Sequence, residues 1–319
     1  MTATDARTSG TSGPVAAGDV ELWAEQRGEG PDVLLIAGLS DPAEAWAPQL
    51  EGLADRYRLT AFDNRGAGRS PLPPADFTVG GLADDAAALL RAVGVSSAHV
   101  AGFSGGSATA QELALRHPEL VRSLVLVSTW ARPDAYLRTL TSSWCWLGEG
   151  APSERAILEA FYLWIYTPRA HEDGTVDQII EEALAFPHPQ SPEAFLRQLR
   201  TWMTHDTFDR LHQLAVPTLV VAGELDIATP PRYGRVVAER IPNAEFVVLP
   251  GEAHQPFQER PTEFNALVDG FWSKVEGVET EATDTKIRVN GIDLFHEVTP
   301  REAASQPAPR PRSDRFGTS

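Results

Sequence analysis

The sequence predicts an α/β fold: a mostly parallel sheet covered by helices on both faces, with a helical cap inserted. Three observations carry this. Short apolar runs alternate with helix-compatible segments several times between residues 32 and 128, and that alternation builds a parallel sheet under helices. The runs Val33-Leu34-Leu35-Ile36 and 121–128 are almost continuously apolar, as strands buried on both faces must be. The rhythm then breaks over residues 129–214, which read as helical, and resumes at Pro217. An all-helical stretch between two strands of one sheet reads as a cap.

Taken in order, residues 1–14 are Thr, Ser, Gly and Ala-rich and are expected to be a disordered tail. Residues 15–26 turn at Gly18-Asp19 between short alternating runs, which predicts a hairpin. The strand at 32–38 is followed by a helix at 42–53, a strand at 57–62 and a Gly-rich loop, Asp63-Asn64-Arg65-Gly66-Ala67-Gly68-Arg69-Ser70. A helix over 79–93 stops at Gly94, where glycine supplies a left-handed cap. A strand at 96–103, a sharp Gly-flanked turn and a helix over 108–117 follow, the last ended by Pro118. The core is thus assigned to 15–129 and 215–277, and the cap to 130–214.

Within the cap, helix signals lie at 153–166, 175–186 and 191–205, the last opening on a Ser-Pro start. Strands at 217–223 and 244–249 and helices at 233–240 and 261–275 complete the core. Residues 278–319 turn acidic and then Pro- and Arg-rich, a composition expected to be disordered. Inside that tail, 286–297 alternates around Asn290-Gly291, a hairpin signal. Its Ile292-Asp293-Leu294-Phe295 parallels Val20-Glu21-Leu22-Trp23. It reads either as the vestige of a second domain copy or as an extra hairpin for a sheet edge.

Composition excludes whole classes of function. A net charge of −17 gives no basic face for nucleic acid or an anionic membrane surface, so a small-molecule substrate is expected and nucleic-acid and membrane partners are not. A homo-oligomer stays open. The single cysteine, Cys145, cannot form an intrachain disulfide, and the N-terminus lacks a basic-then-apolar signal, so a cytoplasmic location is expected. Histidines and cysteine are not at zinc-site spacing, and neither metal nor cofactor is expected.

The chemistry concentrates at Gly102-Phe103-Ser104-Gly105-Gly106, a G-x-S-x-G pattern between strand and helix. A sharp turn there pushes a serine hydroxyl out of the backbone, and the glycines avoid collisions with the neighbouring elements. A serine needs a base, and the base needs an anion to orient it. His254 stands in a Gly-containing loop after the last strand, and Asp226 just past the preceding strand. Glu224, two residues away, is better suited to bracing its loop. All three candidates fall at carboxyl ends of parallel strands, where open α/β sheets collect ligands. Acyl transfer also needs amide donors for an oxyanion, and Gly105 and Leu39 occupy the right loops.

On the elbow, the Asp63–Ser70 loop, Gly223-Glu224-Leu225-Asp226 and Gly251-Glu252-Ala253-His254, the chain resembles the α/β-hydrolase family over about residues 15–276. The likeness is to its esterase, enol-lactonase and cofactor-free haloperoxidase-like members. It implies Ser104, His254 and Asp226 as nucleophile, base and orienting acid, acting on a carboxylic ester or lactone, with C–C bond hydrolysis, peracid chemistry or non-catalytic binding as alternatives. Relatives usually carry His-Gly where this chain has Ala37-Gly38, and a bulkier residue where it has Gly105, which is expected to leave extra room beside Ser104. The Asp63–Ser70 loop lacks a P-loop ending and is read as a brace. Trp130, Trp144, Trp146 and Trp164 are candidate lining for an apolar pocket in the cap.

Overall fold

The computed structural model describes residues 10–278, with 288–289 and 292–293. Its sheet opens on an antiparallel hairpin of β1 (Gly10–Ala17) and β2 (Val20–Arg27), turned at Gly18 with φ +69°. β2 pairs antiparallel with β4 (Arg58–Phe62), and every later pairing is parallel. With β3 (Asp32–Ile36), β5 (Ala98–Phe103), β6 (Val121–Val127), β7 (Thr218–Gly223) and β8 (Ala244–Leu249), the order is β1-β2-β4-β3-β5-β6-β7-β8.

The apolar runs are continuous because alternate residues feed two cores. Leu34, Ile36, Val100, Leu124 and Val220 pack on one face with α2 (Val79–Ala92), α3 (Gly105–Arg116) and α9 (Pro231–Arg240). Val33, Leu35, Ala101, Val125 and Leu219 pack on the other with Trp46, Phe257, Phe264 and Trp272. A strand's side chains point to opposite faces in turn, so burial of both faces favours apolar residues at successive positions. The Thr78 hydroxyl starts α2 by accepting from the Gly81 amide at 3.0 Å, and Gly94 ends it at φ +76°.

Between β6 and β7 lie α4 (Ala135–Gly150), α5 (Glu154–Tyr162), α6 (Pro168–Glu172), α7 (Thr175–Ala185) and α8 (Pro192–Trp202). Asp134, Ser153, Thr167 and Ser191 cap four of them, each accepting from an amide three residues on. A third apolar cluster joins these helices to Leu39, Ala108 and Ala228 of the core.

Two expectations need correction, and one helix carried no signal of its own. β1 starts at Gly10, inside the segment expected to be a tail, because an edge strand needs only backbone pairing, and its outer residues are mostly exposed. The helix expected over 42–53 divides into a 3-10 turn (Ala43–Trp46) and α1 (Ala47–Gly52), with Pro48 in the first turn of α1. α4 carried no helix signal, since Thr139, Thr141, Ser142 and Ser143 are weak helix formers. The first three of these satisfy their hydroxyls on carbonyls four residues back, at 2.7 to 3.0 Å.

In the segment expected to form a second hairpin, Val289 pairs antiparallel with Ile292 and Arg288 with Asp293, apart from the eight-stranded sheet. Its Asn290-Gly291 turn and the rest of the tail beyond Val278 lie outside the described residues.

Candidate active site

β5 hands directly to α3 at Ser104, whose backbone sits at φ +50°, ψ −119°. Few non-glycine residues adopt a positive φ, and the strain persists only where the surroundings over-determine it. The Ser104 amide donates to the Val127 carbonyl at 2.9 Å. A side chain at 102 would bring its Cβ within 2.8 Å of the Ser107 backbone, and one at 106 within 2.6 Å of the Ala37 carbonyl oxygen. Only glycine fits at either place.

His254 faces Ser104 from the loop after β8. Its Nε2 lies 3.0 Å from Ser104 Oγ, and its Nδ1 lies 2.8 Å from Asp226 Oδ2. The histidine's own amide donates to the Ile165 carbonyl at 3.0 Å, while its carbonyl accepts from Ser128 Oγ at 2.8 Å. Asp226 is 2 % exposed. Its Oδ1 accepts from the amides of Ala228 and Thr229, both at 2.8 Å, and its Oδ2 is 2.9 Å from the Thr229 hydroxyl. Burial alone would raise the Asp226 carboxyl; the His254 ring and the Thr229 donors outweigh that and hold it below the ordinary range. An ionised Asp226 accepts only, so His254 Nδ1 carries the proton and Nε2 offers its lone pair to the Ser104 hydroxyl. Glu224 is exposed and accepts from the Gly251 amide at 2.9 Å, bracing the loop.

The loop after β3 passes beside the elbow. Gly38 is pressed against the Phe103 ring, and Ser40 takes φ +66°. The Asp63–Ser70 loop supports it: Asp63 is fully buried and accepts from the amides of Ala43 and Arg69, both at 2.7 Å. Asn64 Nδ2 donates to the Ala37 carbonyl at 3.0 Å. Ala37 is itself completely buried.

A cleft opens onto these groups, lined by Leu39, Ser104, Gly105, Thr229 and His254 from the core and by Trp130, Leu137, Leu140, Thr141, Trp144, Leu199, Trp202 and Met203 from the helical segment, with Ala228. Trp130 and Trp144 are among these lining residues. Trp146 is not: it is 71 % exposed. Two residues along a helix turn through about 200°, so α4 cannot present both Trp144 and Trp146 to one side. Trp164 is half-buried in the turn after α5, packed against the helical cluster and outside the cleft lining.

The room expected beside Gly105 is already filled, by Trp202. A Cβ on Gly105 would fall 2.5 Å from Cε3 and 2.6 Å from Cε2 of that indole. Sequence reasoning placed Trp202 in the cap without assigning it to the pocket; the Ser-Pro start marked where its helix begins but not which core residue Trp202 meets. Ser107, Gln111 and Thr129 were also missed. They form a buried polar chain behind the elbow, with Gln111 Nε2 2.8 Å from Thr129 Oγ1 and Thr129 Oγ1 2.8 Å from Ser107 Oγ.

Among the described residues no helix is long and apolar enough to cross a membrane. Comparison with known proteins agrees with the geometry. Residues 31–152 match the sequence model of the α/β hydrolase fold, and residues 198–277 one described as TAP-like protein. A protein of Azorhizobium caulinodans, provisionally named carbamate hydrolase RutD, is 34 % identical over 261 residues, covering 81 % of this chain and 97 % of its own length. The crystal structure of the enol-lactonase from Burkholderia xenovorans superposes with a TM-score of 0.75 at 26 % identity, over 82 % of this chain and 100 % of that one. A thermophilic esterase from Thermogutta terrifontis gives 0.74 at 27 %, over 83 % and 99 %. The chain belongs to the α/β-hydrolase family.

Proposed function

We propose that this hydrolase cleaves a carboxylic ester or lactone of a small apolar substrate through an acyl-enzyme on Ser104. His254 takes the Ser104 proton as the hydroxyl attacks the carbonyl, and delivers it to the leaving oxygen. Asp226 orients the imidazole and stabilises its charged form. The amides of Leu39 and Gly105 receive the oxyanion. Water, activated by the same histidine, then attacks the acyl-enzyme and frees Ser104 with the acid product.

The observation that carries this reading is the continuous hydrogen-bonded line from Asp226 through His254 to Ser104, with links of 2.8 and 3.0 Å, at the floor of an apolar cleft. Such an apolar lining favours an alkyl or ring-bearing acyl group over a charged one. The esterase and enol-lactonase among its structural neighbours support the same bond type. A second reading, cleavage of a carbamate, draws on the name of the Azorhizobium relative; it would use the same carbonyl chemistry with nitrogen as a neighbour.

A panel of short esters, lactones and carbamates, followed by mass spectrometry, tests both. Ser104→Ala should lose turnover by about 10⁶-fold, the scale of removing a hydrolase nucleophile, and should also lose labelling by a fluorophosphonate. Undiminished turnover in that variant overturns the assignment, and turnover of carbamates alone moves it to the second reading.

A further inference from the structure

We propose that Trp202 is the specificity-determining residue of the acyl side of the cleft, admitting unbranched acyl groups and excluding those branched at the carbon next to the carbonyl. The inference rests on the acyl-enzyme reading above and on one packing relation. Gly105 carries no side chain, and the space its side chain would take is occupied by the indole of Trp202, brought in from the C-terminal end of α8. Trp202 is 2 % exposed, and its Nε1 donates to Thr109 Oγ1, one turn along α3 from Gly105, at 3.1 Å. The ring is therefore held both by its packing on Gly105 and by a hydrogen bond, and it lines the same cleft as Ser104.

The consequence follows from where the substrate carbonyl must sit. Its oxygen points at the Gly105 amide, so the first acyl carbon lies one bond from the carbonyl carbon, and branches on it sweep the volume beside Gly105. That volume is indole. A side chain on residue 105 would be a wall built into the nucleophile's own helix; here the wall comes from a separate helix nearly a hundred residues later, and its position depends on Thr109.

The test is a comparison of kcat/KM for the p-nitrophenyl esters of butanoic and 2-methylpropanoic acids. The wild type should prefer the linear ester. Trp202→Ala should shrink that preference by about tenfold or more, within the range that one methylene controls in an apolar pocket, and Thr109→Val, which removes the tether together with the Thr109 hydroxyl's bond to the Gly105 carbonyl, should shift it the same way by less. Gly105→Ala should impair both substrates, and adding Trp202→Ala should restore activity by giving the new methyl group room. Fluorophosphonate labelling reports whether each variant is folded with a competent serine. Should Trp202→Ala fail to label, Trp202→Phe, which keeps an apolar ring in the cluster, carries the comparison. An unchanged preference in a labelled variant, or no rescue in the double variant, overturns the role of Trp202. Absence of labelling and of ester turnover in the wild type itself overturns the acyl-enzyme reading instead.

Discussion

The Ser107 hydroxyl stands 2.6 Å from the carbonyl oxygen of Ser104 and donates to it, pinning the strained elbow from behind. The same hydroxyl proton is shared with Thr129 Oγ1, 2.8 Å away, which also accepts from Gln111 Nε2 at 2.8 Å, so the three side chains form one chain. It continues to Thr207 and His205, which both meet Gln111 Oε1. Ser107→Ala takes the buried donor away from the Ser104 carbonyl and from Thr129 Oγ1. The expected loss is about 1–3 kcal/mol of stability, read by denaturant titration, with a fall in kcat as the elbow relaxes.

Asp226→Asn is expected to leave the fold intact and lower kcat by about 10⁴-fold, because the amide no longer enforces the histidine tautomer. Stopped-flow hydrolysis of an activated ester checks this. Near wild-type turnover would remove Asp226 from the mechanism.

His205 is buried beside Trp130, and burial first, then the Arg210 charge, push its pKa from an ordinary 6.5 down to about 3. A histidine held neutral in the fold contributes stability that is present above pH 6.5 and lost as pH falls toward 3. One such proton sets a slope of about 1.4 kcal/mol per pH unit in that window. His99, lowered to about 4 by burial despite Glu276, adds to the same limb. Unfolding midpoints measured from pH 7 to pH 4 should drop, and His205→Gln should flatten the drop; an unaltered slope in a folded variant contradicts this.

Asp41 acts in the opposite sense. Its carboxyl is folded inward onto the Gln255 side-chain amide at 3.1 Å, and burial raises it to about 7, against the pull of His254 and of the Gln255 and Gly38 donors. For an acid raised in the fold, the stabilising contribution is complete below about pH 4 and disappears as pH climbs to about 7, with a slope of at most about 1.4 kcal/mol per pH unit. Asp41→Asn should therefore be more stable than wild type at pH 8 and no more stable at pH 4. Thermal melts at the two pH values decide it.

The sheet was legible because its strands are buried on both faces: a run such as Val33-Leu34-Leu35-Ile36 leaves periodicity little choice. The elbow was legible because glycine is demanded at 102 and 106 by backbone atoms close in sequence or in the adjacent strand. What could not be read came from contacts with no local signature. The α4 helix hides behind Thr and Ser side chains whose hydroxyls turn back on its own carbonyls. Trp146 and Trp144 look equivalent in sequence and differ only in the phase of that helix. At Gly105 a missing side chain looked like free space, and tertiary packing filled it from residue 202.

Gly106 packs straight onto the main chain of Ile36 and Ala37, so the two loops that carry the Leu39 and Gly105 amides meet there backbone to backbone. No rotamer intervenes at that contact. The spacing of those amides is then tied to the sheet: side-chain fluctuations in the helical segment can reshape the cleft above without moving that contact below.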